Sequence, residues 1–213
     1  FAESEIVIAQ GPHAGVRLRC GRQPFTRLLL DAFDSGLWWR HFVTGPQQSG
    51  KTLAAFIIPI LYHLFETAET VILAAPSMDI AADKWRLDLL PAIEASRYRD
   101  LLPTRGGGSG GGNVQAVTFR HGPTLRFMSG GGGDKSRASF TSRVLVITEV
   151  DGMDEAGRAS READKISQLE GRVRAFGRRA RVYGECTVSI PQGRTWTEYT
   201  NGTQSRIVCR CVH

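Results

Sequence analysis

The chain has 213 residues, which suits one large domain, and its 41% hydrophobic and 23% charged residues are ordinary for a globular protein. No apolar run reaches the roughly eighteen residues that a membrane-spanning helix needs, so no membrane partner is expected. The N-terminus has neither the basic nor the apolar region of a secretory signal, and a cytoplasmic location is the default expectation. The formal net charge of +6 favours an anionic partner such as nucleic acid.

Helices and apolar strands alternate through the first half of the chain. A short helix is predicted from Thr26 to about Phe33, with Thr26 as its N-cap. The apolar residues of 52–64 recur at helical spacing, which predicts an amphipathic helix. The apolar run 70–76 predicts a buried parallel strand. A further helix is predicted over 77–96, with Ser77 as its N-cap.

The second half of the chain continues this alternation and adds a hairpin. Two short apolar runs, VQAVTF and TLRFMS, flank RHGP and predict a β-hairpin over 114–129. Strands are predicted at 143–151 and 180–190, with a helix over 158–176 between them. Apolar strands that alternate with helices predict an α/β fold, in which helices flank a mainly parallel sheet and the β-hairpin is an addition.

The segment GPQQSGKT fits the phosphate-loop pattern G-x-x-x-x-G-K-[ST]. Its glycines let the backbone curl so that successive N–H groups bind phosphate oxygens. Lys51 supplies a positive charge for the β- and γ-phosphates, and the Thr52 hydroxyl can ligate Mg²⁺. The apolar run before the loop and the amphipathic helix after it favour this interpretation over a simple glycine-rich turn. The predicted nucleotide-binding residues here are Gly45, Pro46, Gln47, Gln48, Ser49, Gly50, Lys51 and Thr52.

Acidic residues follow the predicted strand at 143–151. A phosphate loop needs a carboxylate at the end of a neighbouring strand, where it holds the metal and orients water. Glu149 is predicted to act as general base toward the attacking water, and Asp151 or Glu149 to reach Mg²⁺ through water. Together with Lys51, these two carboxylates are the predicted catalytic residues. The alternative is a strand that simply runs into an exposed acidic turn, EVDGMDE.

Several segments resemble the ATPase motor of a lambda-type phage terminase large subunit: GPQQSGKT, VILAAPS, RVLVITEVDGMDE and VYGECT, in that order. The approach GRQPFTRLLLDAF, the hairpin TFRHGPTLRFMSGGG and the closing RIVCRCVH resemble the same family, so the similarity spans nearly the whole chain. The resemblance implies a P-loop NTPase fold of the ASCE (RecA-like) type that binds ATP and Mg²⁺. It also implies an adenine-side segment (1–40), a core (41–190) and the start of a connection (191–213) toward a nuclease domain that this chain is expected to lack.

The resemblance implies roles for individual residues as well. The loop 45–52 would hold ATP, Glu149 would be the catalytic carboxylate, and Gln23 is a candidate for adenine contact. Gly184–Thr187 would be the coupling segment that senses the γ-phosphate, with Thr187 at its hydroxyl position.

Two positions depart from the pattern of that family. Thr148 precedes Glu149 where the usual residue is aspartate, which leaves Asp151 as a substitute on the metal side. Gln47 stands where many terminases carry an arginine. A charge-stabilising arginine must then come from elsewhere, and the candidates are Arg137, Arg143 or a neighbouring subunit.

The implied function is ATP-driven translocation of viral double-stranded DNA into a procapsid. The implied partners are other copies of the chain in a ring on the capsid portal and the terminase small subunit, in the host cell cytoplasm. Two alternatives stay open: another DNA-dependent P-loop translocase or helicase-like ATPase, and a nucleotide-binding DNA-binding module with weak hydrolysis. A helicase would need a second RecA-like domain, for which 213 residues leave no room, whereas a degenerate module would bind ATP without turnover.

Overall fold

The computed structural model describes residues 1–104, 115–130, 140–155, 164–188 and 191–208. The strands are β1 (Arg40–Thr44), β2 (Val71–Ala75), β3 (Ala116–Thr118), β4 (Thr124–Ser129), β5 (Val144–Thr148) and β6 (Arg181–Cys186). The helices are α1 (Ala2–Glu5), α2 (Pro24–Asp34), α3 (53–66), α4 (78–94), α5 (Val150–Glu155), α6 (Lys165–Glu170) and α7 (Arg194–Asn201). Short 3₁₀ turns lie at Cys20–Arg22, Arg99–Leu101 and Arg174–Arg179.

The two long helices, α3 and α4, change their turn width along their length. α3 joins the segments Leu53–Ile57, Ile58–Leu61 and Tyr62–Glu66, and α4 joins Met78–Asp83, Lys84–Leu89 and Leu90–Glu94. In each helix a proline, Pro59 or Pro91, lies in an α-helical segment that directly follows wider π-helical turns. Because proline has no N–H to donate, a change of turn width next to it accommodates the missing bond.

The described strands form one six-stranded sheet in the order β1-β6-β5-β2-β4-β3. All neighbouring pairs are parallel except β3 and β4, which form the antiparallel hairpin. The predicted α/β fold, its mainly parallel sheet and its added hairpin are therefore confirmed. Parallel strands share one carboxyl edge, so the loops that follow β1, β5 and β6 lie at the same side of the sheet.

The two central strands, β2 and β5, are buried at every position rather than at alternate positions, so both faces of the sheet are covered there. Val71, Leu73 and Ala75 pack with α3 and α4 on one face. Ile72 and Ala74 pack on the other face with α5 and α6. Burial of one such branched side chain stabilises the fold by roughly 1.5–3 kcal/mol. None of the described helices is both long and apolar enough to cross a bilayer.

The element boundaries confirm some sequence predictions and correct two. The predicted N-cap at Thr26 is wrong, because α2 begins at Pro24 and Gln23 is its N-cap residue. The side chain of Ser77 accepts a hydrogen bond from Ile80 N at 3.2 Å, so the predicted cap of α4 is confirmed. The prediction of one continuous helix over 158–176 is wrong within the described residues, because α6 ends at Glu170 and the chain tightens into three-residue turns. Residues 156–163 lie outside the described residues.

A close contact between neighbouring strands requires glycine at position 184. Gly184 of β6 pairs with Phe42 of β1, and a Cβ atom at Gly184 would lie 2.5 Å from the Phe42 ring.

We therefore expect Gly184→Ala to lower the free energy of unfolding by roughly 1–3 kcal/mol, because the ring and the strand must shift to admit the methyl group. Chemical denaturation measures this change. Gly21→Ala is the matched control, since an added Cβ there meets nothing within 4 Å. Equal stability of the two variants would contradict the argument.

Candidate active site

The phosphate loop connects the carboxyl end of β1 to the first turn of α3. Gln48 and Gly50 both adopt left-handed backbone conformations, with φ of 59° and 79°. A Cβ atom on Gly45 would lie 3.1 Å from the Ser49 hydroxyl, which leaves little room for any other residue. Left-handed positions of this kind bring successive N–H groups to one concave surface, as an anion-binding loop requires.

The lysine and threonine of the loop have different neighbours. Lys51 Nζ donates to Pro46 O at 3.4 Å, so its side chain folds back over the loop. Thr52 is half-buried, and its Oγ1 donates to Glu185 Oε2 at 3.2 Å. The loop is thus joined to β6 by a hydroxyl–carboxylate contact that the sequence did not predict.

Sequence reasoning placed Glu185 within the coupling segment but assigned no role to its carboxylate. Glu185 is 1% exposed, and its Oε1 accepts a hydrogen bond from Thr148 Oγ1 at 2.6 Å. Burial raises the pKa of the Glu185 carboxyl above its ordinary value, although the bond from Thr148 acts in the opposite direction. One signal was available: a charged residue stands in the strand RVYGEC, which is otherwise suited to burial.

The two predicted acidic residues lie in different surroundings. Glu149 is exposed directly after β5, has a φ of 53°, and lies with its Oε2 3.9 Å from Cys186 Sγ at the end of β6. Asp151 is buried in α5, and its Oδ1 accepts a hydrogen bond from Thr195 N at 2.7 Å. The structure therefore places Glu149 at the carboxyl edge of the sheet, from which the phosphate loop also leaves, and engages Asp151 with the first turn of α7. The metal role of Asp151 stays a prediction.

The predicted coupling segment lies at the same edge. Gly184 is buried inside β6 against Phe42, and Thr187 directly follows Cys186, the last residue of β6. The Thr187 carbonyl accepts a bond from Cys186 Sγ at 3.1 Å. The position of this segment next to Glu149 suits a coupling role, which itself stays a prediction.

Of the two candidate arginines, Arg143 lies at the opposite edge of the sheet. It precedes β5, and its Nη2 donates to Glu69 Oε2 at 2.6 Å while Nη1 donates to Arg179 O at 2.6 Å. A strand of five residues spans about 16 Å at 3.3 Å per residue. The structure therefore does not bring Arg143 to the phosphate loop of its own chain. Arg137 lies outside the described residues, as does the cysteine pair of the closing segment.

Gln23 lies against the phosphate loop. Its Nε2 donates to Ser49 O at 2.8 Å, and its Oε1 accepts from Thr26 Oγ1 at 3.0 Å. Both ends of the amide are thus engaged with the chain. Contact with adenine stays a prediction, whereas contact with the loop backbone is a feature of the structure.

The phosphate loop follows the parallel strand β1, the acidic residue Glu149 follows β5, and β6 lies between these two strands. This arrangement is that of a P-loop NTPase of the ASCE class. Residues 13–213 match the profile of the family described as phage terminase large subunit gpA, ATPase domain. Because that match covers most of the chain, the chain belongs to this family of ATPase domains. A comparison with curated proteins found no match.

Solved structures show the same fold. The large terminase of bacteriophage HK97 is similar with a TM-score of 0.68 at 13% identity, over 93% of this chain and 39% of that one. The large terminase ATPase domain of Thermus phage P74-26 is similar with a TM-score of 0.54 at 13% identity, over 79% of this chain and 66% of that one. The chain thus spans about two fifths of the HK97 protein it matches.

The ion pair of Arg143 with Glu69, at the edge of the sheet opposite the phosphate loop, makes the stability of the fold depend on pH. Burial of Glu69 raises its pKa, but hydrogen bonds from Arg143, His63 and Thr67 outweigh burial and lower it to about 2. A carboxyl whose pKa is lower in the folded state stabilises the fold above its ordinary pKa of 4.5, and this contribution is lost as pH falls toward 2.

We therefore expect Glu69→Gln to lower the free energy of unfolding at about pH 7 by roughly 1–3 kcal/mol, and the deficit to shrink below about pH 4.5. Urea unfolding of both proteins across this range measures the difference. Asp31→Asn, at an exposed carboxylate of α2, is the control. A deficit that did not depend on pH would assign the effect to packing instead.

Proposed function

We propose that this domain hydrolyses ATP and thereby drives viral double-stranded DNA into a procapsid, as the motor of a terminase large subunit. The observation that carries this proposal is the strand order: the loop with Lys51 and Thr52 follows β1, Glu149 follows β5, and both strands end at the same edge of the sheet. A phosphate-binding loop and a solvent-accessible carboxylate on a neighbouring strand are what ATP hydrolysis needs.

In this mechanism the loop backbone and Lys51 bind the β- and γ-phosphates, and α3 directs its N-terminal dipole toward them. Glu149 accepts a proton from the attacking water as the new oxygen–phosphorus bond forms and the β–γ anhydride bond breaks. Its exposure suits this role, because the carboxylate must be reached by water. ADP and phosphate then leave.

The site also suits Mg²⁺, since a hydroxyl and a buried carboxylate, Thr52 and Glu185, are in contact. When bound, Mg²⁺ supplies positive charge that neutralises the phosphate oxygens. Among the residues that the structure describes, no group of three or more histidine, cysteine or acidic side chains forms a closed metal cage. Protein sites for Mg²⁺ usually use one or two carboxylates, with the remaining ligands from water and phosphates.

The net charge of +6 supports DNA as the partner. In the proposed assembly, copies of the chain form a ring on the capsid portal in the host cytoplasm, and the terminase small subunit delivers the DNA. Gly184–Thr187 couples the γ-phosphate to motion. Arg143 is engaged far from the loop, so the charge-stabilising arginine comes from Arg137 or from a neighbouring subunit.

ATP turnover with and without double-stranded DNA, in the assembled full-length protein, tests this function. We expect Lys51→Ala to abolish ATP binding, because the phosphates lose their nearest positive charge. We expect Glu149→Gln to retain ATP binding but to lower kcat by roughly 100-fold or more, because the general base is lost. Nucleotide fluorescence titration and phosphate release separate the two effects.

Glu94→Gln, at an exposed carboxylate of α4, is the control for Glu149→Gln. Normal turnover in Glu149→Gln would contradict the catalytic assignment. ATP binding without turnover in the assembled wild-type protein would favour the nucleotide-binding DNA-binding module. Turnover with strand separation would favour a helicase-like ATPase.

The contact of Gln23 with Ser49 predicts a specific binding result. If Gln23 supports the loop, Gln23→Ala weakens the binding of ATP, GTP and tripolyphosphate to a similar extent, by roughly 3- to 10-fold for one lost hydrogen bond. If Gln23 instead contacts adenine, only ATP binding weakens. Competitive titration of the three ligands distinguishes the cases, and we expect the first because both amide ends bind the chain.

A further inference from the structure

The carboxylate in contact with the loop threonine, Thr52, lies on β6 and not on the acidic strand β5. In P-loop NTPases the metal is held by the loop Ser or Thr together with an aspartate of the acidic strand. Here the residue before Glu149 is Thr148, which is fully buried and carries no charge. The carboxylate in contact with the Thr52 hydroxyl belongs to Glu185 on β6 instead.

The strand order explains how Glu185 reaches this position. β6 lies between β1 and β5, and Glu185 pairs with Val43 of β1 and with Thr148 of β5. One carboxylate oxygen accepts from Thr148 Oγ1 at 2.6 Å and the other from Thr52 Oγ1 at 3.2 Å. Thr148 thus fixes one oxygen, and the other oxygen contacts Thr52, the loop residue that is predicted to ligate the metal.

The charge of Glu185 points to a cation. Its hydrogen bonds come from two neutral hydroxyls. Lys84 and Lys51 act on it only at longer range, and within the described residues no basic side chain forms an ion pair with it. A carboxylate that is 1% exposed is costly to bury unless it is paired or near a metal. Two hydroxyl donors leave part of its acceptor capacity unused.

The contact with Thr52 has a suitable direction. The threonine hydroxyl donates its proton to Glu185, so the lone pairs of the hydroxyl oxygen are free for a metal. Asp151 is placed differently, because its Oδ1 accepts from Thr195 N in the first turn of α7.

We propose that Glu185 is the metal-side carboxylate of this site, with Thr148 as the residue that positions it and Glu149 left to act on water. The proposal rests on the proposed function, since it concerns the Mg²⁺ that accompanies ATP. In the cross-strand pair of Thr148 and Glu185, the carboxylate thus lies on β6 and the hydroxyl on β5, whereas the usual pattern has the carboxylate on the acidic strand.

Binding of Mn²⁺, a paramagnetic substitute for Mg²⁺, tests the proposal without relying on turnover. Electron paramagnetic resonance of the full-length protein with ATP measures bound Mn²⁺. We expect Glu185→Gln to weaken Mn²⁺ binding by roughly 10- to 100-fold, as loss of a supporting carboxylate does at other metal sites. Binding of ATP without metal should stay unchanged.

An exchange variant makes the test sharper. Glu185→Thr combined with Thr148→Asp moves the carboxylate to the neighbouring strand, and we expect it to recover most of the Mn²⁺ affinity that Glu185→Thr alone loses. Glu94→Gln, at an exposed carboxylate of α4, is the control and should keep wild-type Mn²⁺ affinity. Asp151→Asn tests the competing assignment. Wild-type affinity in Glu185→Gln, or loss confined to Asp151→Asn, would overturn the proposal.

Stability separates a metal role from a structural one. Glu185→Gln keeps the size and an acceptor oxygen while it removes a buried charge, so metal-free unfolding should show no loss of stability. Weakened Mn²⁺ binding that appears only together with destabilisation would assign Glu185 a structural role. If the wild-type protein binds no ATP at all, the proposed function itself fails; if it binds ATP with Mn²⁺ and Glu185→Gln does the same, only this inference fails.

Discussion

The buried contact of Glu185 with Thr52 is the interaction on which the arrangement of the site depends. It joins the end of the phosphate loop, at the start of α3, to β6, which is the neighbour of β1 in the sheet. The contact therefore fixes the position of the loop relative to β6. The contact is possible because β6 separates the loop strand from the acidic strand. A side chain near the end of β6 therefore lies within reach of both, and the parallel order of the strands brings all three carboxyl ends together.

The far end of α3 is held to the same strand. His63 Nε2 lies 3.1 Å from the Tyr183 hydroxyl of β6, and His63 Nδ1 lies 2.9 Å from Glu69 Oε2. α3 is thus joined to β6 at its first turn through Glu185 and at its last through Tyr183. The helix is therefore fixed to one strand near both of its own ends, which restricts independent movement of the loop.

The parts of the site that the sequence predicted are those with local signals. The loop pattern, the helix after it and the Ser77 cap depend on residues a few positions apart, and the structure has all of them. The contact between Thr52 and Glu185 joins residues 133 positions apart, and that between Asp151 and Thr195 joins residues 44 apart. No periodicity or motif encodes such pairs, because they exist only once the strand order is set. A charged residue inside an apolar strand was the one local sign of Glu185.

Strand geometry also explains why a carboxylate at Glu185 of β6 lies close to the place that a carboxylate at position 148 of β5 would occupy. A shift of one residue along a strand sends the side chain to the opposite face, whereas a shift to the paired residue of the neighbouring strand keeps the face and moves it by only about 4.8 Å. Thr148 and Glu185 are such a pair, and together they hold one hydroxyl and one carboxylate on the same side of the sheet. Asp151 lies on α5, beyond the strand, and has no lateral relation of this kind to the loop. An exchange across paired strands is therefore the geometrically conservative way to keep a carboxylate beside the loop threonine when the acidic strand itself carries threonine.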